Sequence, residues 1–433
     1  MNRRIAALVA ALAFFAVLLA AQDPANPDVR ERRNAARALA RQGSSAIPQL
    51  AGLMADPDLE VRIEAVKALV EIGTQHSLEP LMKAALDPDP EIQIRATDGL
   101  VNFYLPGYVR TGLSASLRRA GNRLVVNRFT DTNDQAVEPW IEVRTEVSET
   151  LGRLARGGSA MESRANAARA AGILRGKAAV PGLLEAVRSK DSRVLYESLI
   201  AFQKIGDRSV APQLQFLLRD LDEKVQLAAV ETAGLLYNME ALPSLRSVLE
   251  RTQKQPVRRA TLAAIAMLPD PANRRILLAY LPDRDAQLRA VAAEGLGRLK
   301  DPADTAALQK GYEGENNNLA RLSMAFALVL EGNLELSEFS PLQYMVNTLN
   351  SASRAPAARA LLIEAARGGE VRRALHQSLE RGTRDEKTGL LQVLAASGDA
   401  ESARLMEPLT RNSDLDVASE AVRSLRALKM RLP

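Results

Sequence analysis

Few side chains in this 433-residue sequence have the type and spacing that chemistry requires. Two histidines and no cysteine are present, so disulfide bonds, thiolate metal sites and cysteine nucleophiles are excluded. His76 and Glu79 are three residues apart and could bind one metal ion from one face of a helix, but the other histidine, His376, is far along the chain. We interpret His76 as a turn residue and expect no metal and no cofactor.

Aspartates two residues apart are the next candidates. Asp56 with Asp58 and Asp87 with Asp89 resemble the paired carboxylates of acid–base catalysis. The pairs return at a regular spacing, which indicates a structural function. The sequence contains no P-loop, no paired-glycine dinucleotide loop, no G-x-S-x-G and no HExxH motif. We therefore expect no catalytic residues and no enzymatic activity.

The aspartate pairs belong to a repeated helical motif. "DPDLEVRIEAVKALVEIG" occupies positions 56–73, and related stretches begin at Asp87, Asp220 and Asn412. Neighbouring copies are 31 or 32 residues apart when they are aligned on the first apolar residue of the helix, Val61 in this copy. Three residues earlier, most copies have Asp or Asn, the side chains that accept hydrogen bonds from the first turn of a helix. The predicted N-caps are Asp58, Asp89, Asp191, Asp222, Asp285, Asn316 and Asp414.

Each repeat is predicted to contain two helices. Val61, Ala65, Leu69 and Ile72 have the spacing of one helical face, and a glycine follows. A second apolar segment comes next in each copy, with a proline in its predicted first turn. These prolines are Pro48, Pro80, Pro181, Pro212 and Pro243. One helix pair cannot bury its apolar surface alone, so neighbouring pairs must stack. We predict an all-α fold, a right-handed α–α superhelix (solenoid) of about twelve repeats of ~31 residues.

The pattern D-x-x-V-R…A-x-x-A-L…I-G, followed by a turn and A/L-P-x-L, resembles bacterial HEAT-like repeats of the phycobilisome-lyase type. The resemblance covers nearly the whole chain after its N-terminal segment, apart from one insert. It implies a curved surface for partners. It also implies one alternative function, the attachment of chromophores to phycobiliproteins, and DNA binding by a HEAT-like array is another. No residue specifically supports either, and the near-neutral charge disfavours nucleic acid as a partner.

An arginine follows the aligned apolar residue in three copies, at Arg62, Arg258 and Arg289. Two interpretations are open. The arginines could form a basic strip for anionic partners, or each could pair with a cap aspartate of the adjacent repeat. We favour the second interpretation, an Asp–Arg ladder, because the arginine recurs with the repeat and needs no ligand.

An insert at 104–142 interrupts the repeats between Asp89 and Asp191. Positions 105–130 contain five arginines and no acidic residue, and aromatic residues are concentrated nearby. The insert could be a loop packed on the array, a contact surface for a protein or an acidic polymer, or a binding site for anionic lipid head groups. The candidate partner-binding residues are Arg110, Arg118, Arg119, Arg123, Arg128, Phe129 and Trp140.

A smaller irregularity occurs at 334–353, where the interval between repeats is longer. Phe339 and Tyr344 could mark a contact in a groove, or a lengthened helix could fill its own neighbour interface. We favour the lengthened helix.

The N-terminus has the pattern of an export signal. Arg3 and Arg4 precede an apolar run from Ile5 to Ala21, and the polar stretch "QDPANPD" follows. Removing residues 1–21 would lower the formal net charge from +5 to +3, which is not the footprint of a dedicated nucleic-acid binder. An uncleaved segment that anchors the protein to the inner membrane is the alternative, and it would be the sole membrane contact.

The predicted organisation is a signal peptide (1–21), N-terminal repeats (22–103), the insert (104–142) and a second repeat array (143–433). We predict an exported, non-catalytic scaffold for protein–protein contact, periplasmic or extracellular in a bacterium. Its partner would bind along the concave face lined by second helices, or against the insert. The sequence does not identify that partner.

Overall fold

The computed structural model describes residues 28–109, 135–138 and 140–432. The predicted signal peptide lies outside the described residues, as do six of the seven candidate residues of the insert: Arg110, Arg118, Arg119, Arg123, Arg128 and Phe129. Within the described ranges the chain forms helices and connecting segments and contains no strand. The prediction of an all-α repeat fold is therefore confirmed. No helix in these ranges is both long and apolar enough to cross a membrane.

The chain divides into two compact units, one that ends at Thr232 and one that begins at Ala233. The α-helices of the first unit are α1 (Val29–Ala40), α2 (Ile47–Leu53), α3 (Leu59–Ile72), α4 (Leu78–Ala84), α5 (Pro90–Tyr104), α6 (Thr145–Gly157), α7 (Met161–Ile173), α8 (Val180–Ala186) and α9 (Ser192–Ile205). A 3-10 segment, Arg208–Arg219, follows α9, and α10 (Glu223–Leu235) contains the boundary between the units.

The second unit continues the alternation of first and second helices. Its remaining helices are α11 (Leu242–Arg251), α12 (Gln255–Met267), α13 (Arg274–Tyr280), α14 (Ala286–Leu299), α15 (Thr305–Gly314), α16 (Asn318–Leu330), α17 (Pro341–Thr348), α18 (Ala355–Ala365), α19 (Gly369–Arg381), α20 (Arg384–Ser397), α21 (Ala400–Met406) and α22 (Leu415–Arg431).

The first helix of a repeat begins at a capping carboxylate. The Asp58 side chain accepts a hydrogen bond from Val61 N, and Gly73 ends that helix in the left-handed conformation, with φ of 57°. Equivalent side chains accept from the first turns of their own helices at Asp89, Asp191, Asp222, Asp285 and Asp414.

One predicted cap is wrong by one residue. Asn317, not Asn316, is the N-cap of α16, and its side chain accepts from Leu319 N at 3.0 Å and Ala320 N at 3.2 Å. The reason is the register of the buried face. Ala320 is fully buried whereas Leu319 is 40% exposed, so the aligned apolar position of this repeat is Ala320.

First helices of neighbouring repeats approach closely through small residues. A Cβ atom on Gly172 in α7 would lie 2.7 Å from the Cα atom of Ala201 in α9. In the second unit, a Cβ atom on Gly297 in α14 would lie 2.5 Å from the Cα atom of Ala327 in α16. Both distances are too short for a side chain, so glycine at these positions sets how closely the helices stack.

The insert lies inside one repeat. The first helices α5 and α7 pack against each other as neighbours, and α6 packs against α7 and α8 as a second helix does. The connection that contains the insert therefore replaces the short turn between the first helix α5 and the second helix α6. The stack of first helices continues past it without interruption.

Candidate functional site

The arginine ladder connects adjacent repeats, with one change from the prediction. Arg62 Nε is 3.0 Å from Asp87 Oδ2, and Arg62 Nη1 donates to the carbonyl of Asp56 at 3.0 Å. Asp87 is not the cap but the acid two residues before it, and its Oδ1 accepts from the backbone N of the cap Asp89 at 2.8 Å. The expectation that the arginine pairs with the cap is wrong at Arg62. Each Asp pair that resembles a catalytic dyad therefore consists of one helix N-cap and one acid that pairs with a ladder arginine.

The same geometry recurs at two further rungs. Arg32 Nε is 2.7 Å from Asp56, and Arg289 Nε is 2.7 Å from Glu315. The hydrogen bonds from these arginines hold the pKa of Asp56 and of Glu315 below its usual value. The ladder acids are thus kept ionised by structural partners.

Arg258 departs from this pattern. Its Nη2 donates to the carbonyl of Thr252 at 3.1 Å, and its neighbour Arg259 pairs with the cap Asp285 at 2.7 Å. The third arginine predicted for the ladder therefore stays within its own repeat.

Gln93 occupies the ladder position in α5, directly before the insert. Its Nε2 donates to the carbonyl of Asp87 at 2.7 Å, as Arg62 does to Asp56. Its Oε1 accepts from Ser159 N at 3.0 Å and from Ser159 Oγ at 2.9 Å. A neutral rung therefore joins the repeat that contains the insert to the repeat that follows it.

A buried polar cluster lies beside this rung in the first unit. Asn166 Nδ2 donates to Asp98 Oδ1 at 2.9 Å, and Arg169 pairs with Glu197 on the next first helix, with both side chains about nine-tenths buried. Burial raises the pKa of Asp98 to about 6 and that of Tyr108, on the first turn after α5, to about 12. The cluster ties three first helices together at the start of the insert.

The last part of the insert contacts the ends of two first helices. Val137 is buried and its N donates to the carbonyl of Ile173 at 2.8 Å. Lys204 Nζ donates to the carbonyl of Gln135 at 3.0 Å. Trp140, the one candidate residue of the insert within the described ranges, is 44% exposed. Its side chain is thus available at the surface, and its role in partner binding stays a prediction.

Neither histidine lies in a reactive arrangement. His76 is exposed, and no group of three or more His, Cys, Asp or Glu side chains in the described ranges could hold a metal ion. His376 Nε2 is 2.9 Å from Ser402 Oγ, which donates to Asp399 Oδ1 at 3.1 Å. In this set the serine lies between the histidine and the aspartate and is completely buried, so no substrate could reach its hydroxyl. Burial lowers the pKa of His376.

The second unit contains an open groove, which we call the helix-end groove. It has a volume of about 490 Å³ and is formed where several successive first helices end. Its apolar lining comes from Met267, Val329, Leu330, Leu334 and Val371, and its charged lining from Arg298, Lys300, Glu364, Arg367 and Glu370. Sequence reasoning missed this site, because these residues come from separate repeats.

Arg298 connects the charged lining of the groove to its interior. Its Nε and Nη2 donate to the two carboxylate oxygens of Glu364 at 2.7 and 2.8 Å, two repeats further along the chain. Nη2 also lies 3.4 Å from Glu294, whose pKa is raised by burial. The guanidinium lies 5.4 Å from the centre of the Phe326 ring. Arg298 is therefore fixed in place.

The second irregularity of the sequence forms one side of this region. Helix α16 ends at Leu330 and α17 begins at Pro341, so the extra residues lengthen the connection between these helices. Our expectation of a lengthened helix is therefore wrong. Tyr344 packs inside its own repeat interface, with the Arg321 guanidinium 5.0 Å from its ring centre and 4.9 Å from that of Tyr312. Phe339 is 75% exposed and has φ of 67°.

Stacked helix pairs, joined by a periodic ladder and lacking a reactive cluster in the described ranges, define an α-solenoid of the HEAT class. The sequence profile of HEAT repeats matches residues 15–101, 148–234, 210–290 and 242–329, which is more than half of the chain. The chain belongs to the HEAT-repeat family, as its resemblance predicted.

Among curated proteins, the phycocyanobilin lyase subunit alpha of Nostoc sp. is 28% identical over 148 residues. The match covers 31% of this chain and 54% of that protein, so the chain spans about half the length of this relative.

Among solved structures, importin beta is 15% identical, with a TM-score of 0.46 and coverage of 99% of this chain and 67% of that one. The complex of CpcE and CpcF of phycocyanin lyase from Nostoc sp. is 19% identical, with a TM-score of 0.32 and coverage of 69% of this chain and 92% of that one.

Proposed function

We propose that the protein is a non-catalytic scaffold that binds another protein, and that the helix-end groove is where the partner contacts it. The observation that carries this proposal is the groove itself: an apolar surface with a charged rim that lies open within a closely packed repeat stack. Ladder arginines and their acids are used in contacts between repeats, whereas the rim residues Lys300 and Arg367 are exposed. Rigid repeats that present such a surface suit recognition of a partner.

We further propose that the scaffold acts outside the cytoplasm. The N-terminal sequence supports this, because two arginines, an apolar run and a polar stretch follow one another as in export signals. Fractionation of cells that express the full chain tests the proposal. We expect a shortened protein in the periplasmic fraction, and retention of the full-length chain in the cytoplasm would contradict it.

Site-directed photo-crosslinking tests the scaffold function directly. A photoreactive amino acid at Leu334 lies in the groove lining, and one at the exposed Lys310 on α15 serves as the control. We expect the Leu334 position to give a defined crosslinked product in cells and the Lys310 position to give none. Absence of a product at Leu334 and at the exposed Trp140 would contradict the proposal.

A bilin-related function is the second candidate, and the observation that favours it is the similarity to the phycocyanobilin lyase subunit alpha. Titration of the purified protein with phycocyanobilin separates the two functions. A non-catalytic scaffold leaves the absorption spectrum of the bilin unchanged. A red-shifted, intensified band that is transferred to an acceptor protein would support the lyase-like function.

A further inference from the structure

We infer that the helix-end groove binds an extended acidic segment of the partner protein, with apolar side chains in the groove and carboxylates at the rim. This inference rests on the scaffold function proposed above and names the chemistry of the partner. Three features of the groove carry it: the apolar lining, the fixed internal charge and the unpaired cations at the rim.

The apolar lining favours a peptide with aliphatic or aromatic side chains. Val329 and Val371 are buried, and Met267, Leu330 and Leu334 are partly exposed at the ends of their helices. Covering each of the exposed groups with a side chain of the partner removes apolar surface from water, which favours binding. A volume of about 490 Å³ can take a few side chains but not a folded domain.

The charge inside the groove is already balanced. Arg298 is held by the carboxylate of Glu364 and lies beside Glu294, and its Nη1 donates to the carbonyl of Ala266 at 3.2 Å. Because these contacts occupy Arg298 on several sides, it does not require a ligand. The exposed charged residues at the rim therefore determine which charge is favoured on the partner.

The rim is more basic than acidic. Lys300 and Arg367 are both exposed, and in the described ranges no carboxylate forms a salt bridge with either of them. Glu370 is the acidic residue on this rim. Two unpaired cations against one carboxylate favour carboxylates on the partner over ammonium groups.

Lys300 is also set in place by its backbone. It ends α14 in the left-handed conformation, with φ of 53°, and its N donates to the carbonyls of Leu296 and Gly297. This conformation is uncommon for a residue with a side chain. Helix α19 begins at the same rim with Gly368 at its N-cap, which has no side chain to accept from the first turn. The positive end of the α19 dipole thus adds to the attraction for carboxylates.

A pair of fluorescent peptides tests the inference with the full chain. One peptide alternates leucine with glutamate, and the other has lysine in place of each glutamate. Fluorescence anisotropy should show binding of the acidic peptide and at least tenfold weaker binding of the basic one. The double substitution Lys300→Glu with Arg367→Glu should weaken the acidic peptide at least tenfold. The matched control, Lys310→Glu with Arg404→Glu, makes the same charge change at exposed positions and should leave binding unchanged.

Three results would overturn the inference: no binding of the acidic peptide, equal binding of the basic peptide, or full affinity in the double variant. Circular dichroism and thermal melting establish that both double variants fold. Crosslinking from Leu334 distinguishes this inference from the scaffold function. If the double variant still captures the partner that the wild type captures, the acidic-segment inference fails and the scaffold function stands. If the wild type captures nothing, the scaffold function fails.

Discussion

Two arginines hold buried charge in the two units of this protein, and they do so in different settings. In the first unit, Arg169 pairs with Glu197 on the adjacent first helix, beside Asp98 and beneath the start of the insert. In the second unit, Arg298 reaches Glu364 two repeats away and lines an open groove.

Both clusters contain a polar contact between the same two positions of neighbouring first helices. The residue six positions after the aligned apolar position of one first helix contacts the residue three positions after the aligned apolar position of the next first helix. Arg169 meets Glu197 in this way, and Glu294 meets Ser323, whose Oγ donates to Glu294 at 2.7 Å. The difference teaches that the repeat supplies the polar contacts, while the connections between helices decide whether a cluster borders on solvent.

The largest expected effect comes from removing the arginine of the second unit. Arg298→Ala leaves Glu364 and Glu294 without their cation and should lower the free energy of unfolding by about 3 kcal/mol. Arg169→Ala removes the salt bridge to Glu197 and the weaker attraction to Asp98, and should cost about 2 kcal/mol. Urea denaturation of both variants measures the difference.

A double substitution checks that uncompensated charge is the cause. Arg298→Met with Glu364→Leu removes both charges and should restore part of the loss. If Arg298→Ala costs less than Arg169→Ala, the proposed difference between the two clusters is wrong.

Replacing the glycine at a close approach of two first helices should destabilise both units by a similar amount. Gly172→Ala and Gly297→Ala each place a Cβ atom against the backbone of an alanine, and each should cost about 1–3 kcal/mol. Gly314→Ala is the matched control, since nothing lies within 4 Å of its added Cβ. Melting temperatures report the effect. A loss at Gly314 equal to that at Gly297 would show that helix spacing is not responsible.

The pH dependence of stability distinguishes the first cluster. The folded pKa of Asp98, about 6, is above the ordinary value of 3.8, so folding favours the protonated carboxyl. The resulting stabilisation is present below pH 3.8 and is lost as the pH rises through 6. Asp98→Asn should therefore stabilise the protein by about 2 kcal/mol at pH 8 and by little near pH 4.

The charged and polar groups that influence the pKa of Asp98 are Glu91, Arg95, Asn166 and Arg169. Tyr108 also interacts with Asp98. Urea denaturation at pH 4, 6 and 8 measures the profile. An equal gain at pH 4 and pH 8 would show that ionisation of Asp98 is not the cause. Glu294→Gln makes the parallel comparison in the second unit, where burial also raises the pKa.

The smallest effect concerns the caps. Asp58→Ala in the first unit and Asn317→Ala in the second should each lower stability by about 1 kcal/mol. Asn316→Ala, one residue earlier, should change it by less than about 0.5 kcal/mol. Thermal melting compares the three variants. A larger loss of stability at Asn316 than at Asn317 would show that Asn316 is the N-cap, as the repeat spacing predicted.

The sequence predicts those features whose physics is local. An Asp before an apolar helical stripe indicates a cap, because the hydrogen bond forms within three residues, and this spacing locates Asp58 and Asp414. The error at Asn316 arose because three consecutive asparagines, Asn316–Asn318, leave the register to the buried face, which the structure reveals at Ala320.

The ladder and the groove depend on contacts between repeats, so less of them could be predicted. The acid before each cap was visible, but its geometry relative to Arg62 follows from how closely the helices stack. The groove brings together residues that are about thirty or more positions apart, such as Met267, Lys300 and Arg367. The one local signal was the longer interval near Leu334, which we assigned to a longer helix instead of a longer connection.

The neutral rung at Gln93 has a consequence for the design of hybrid proteins. Gln93 and Ser159 fasten adjacent repeats to each other directly, through contacts that do not involve residues 110–134. The entropy of closing a loop grows only slowly with its length. A foreign domain inserted between residues 110 and 134, such as a fluorescent reporter, would leave these contacts in place, so the repeats should keep their spacing.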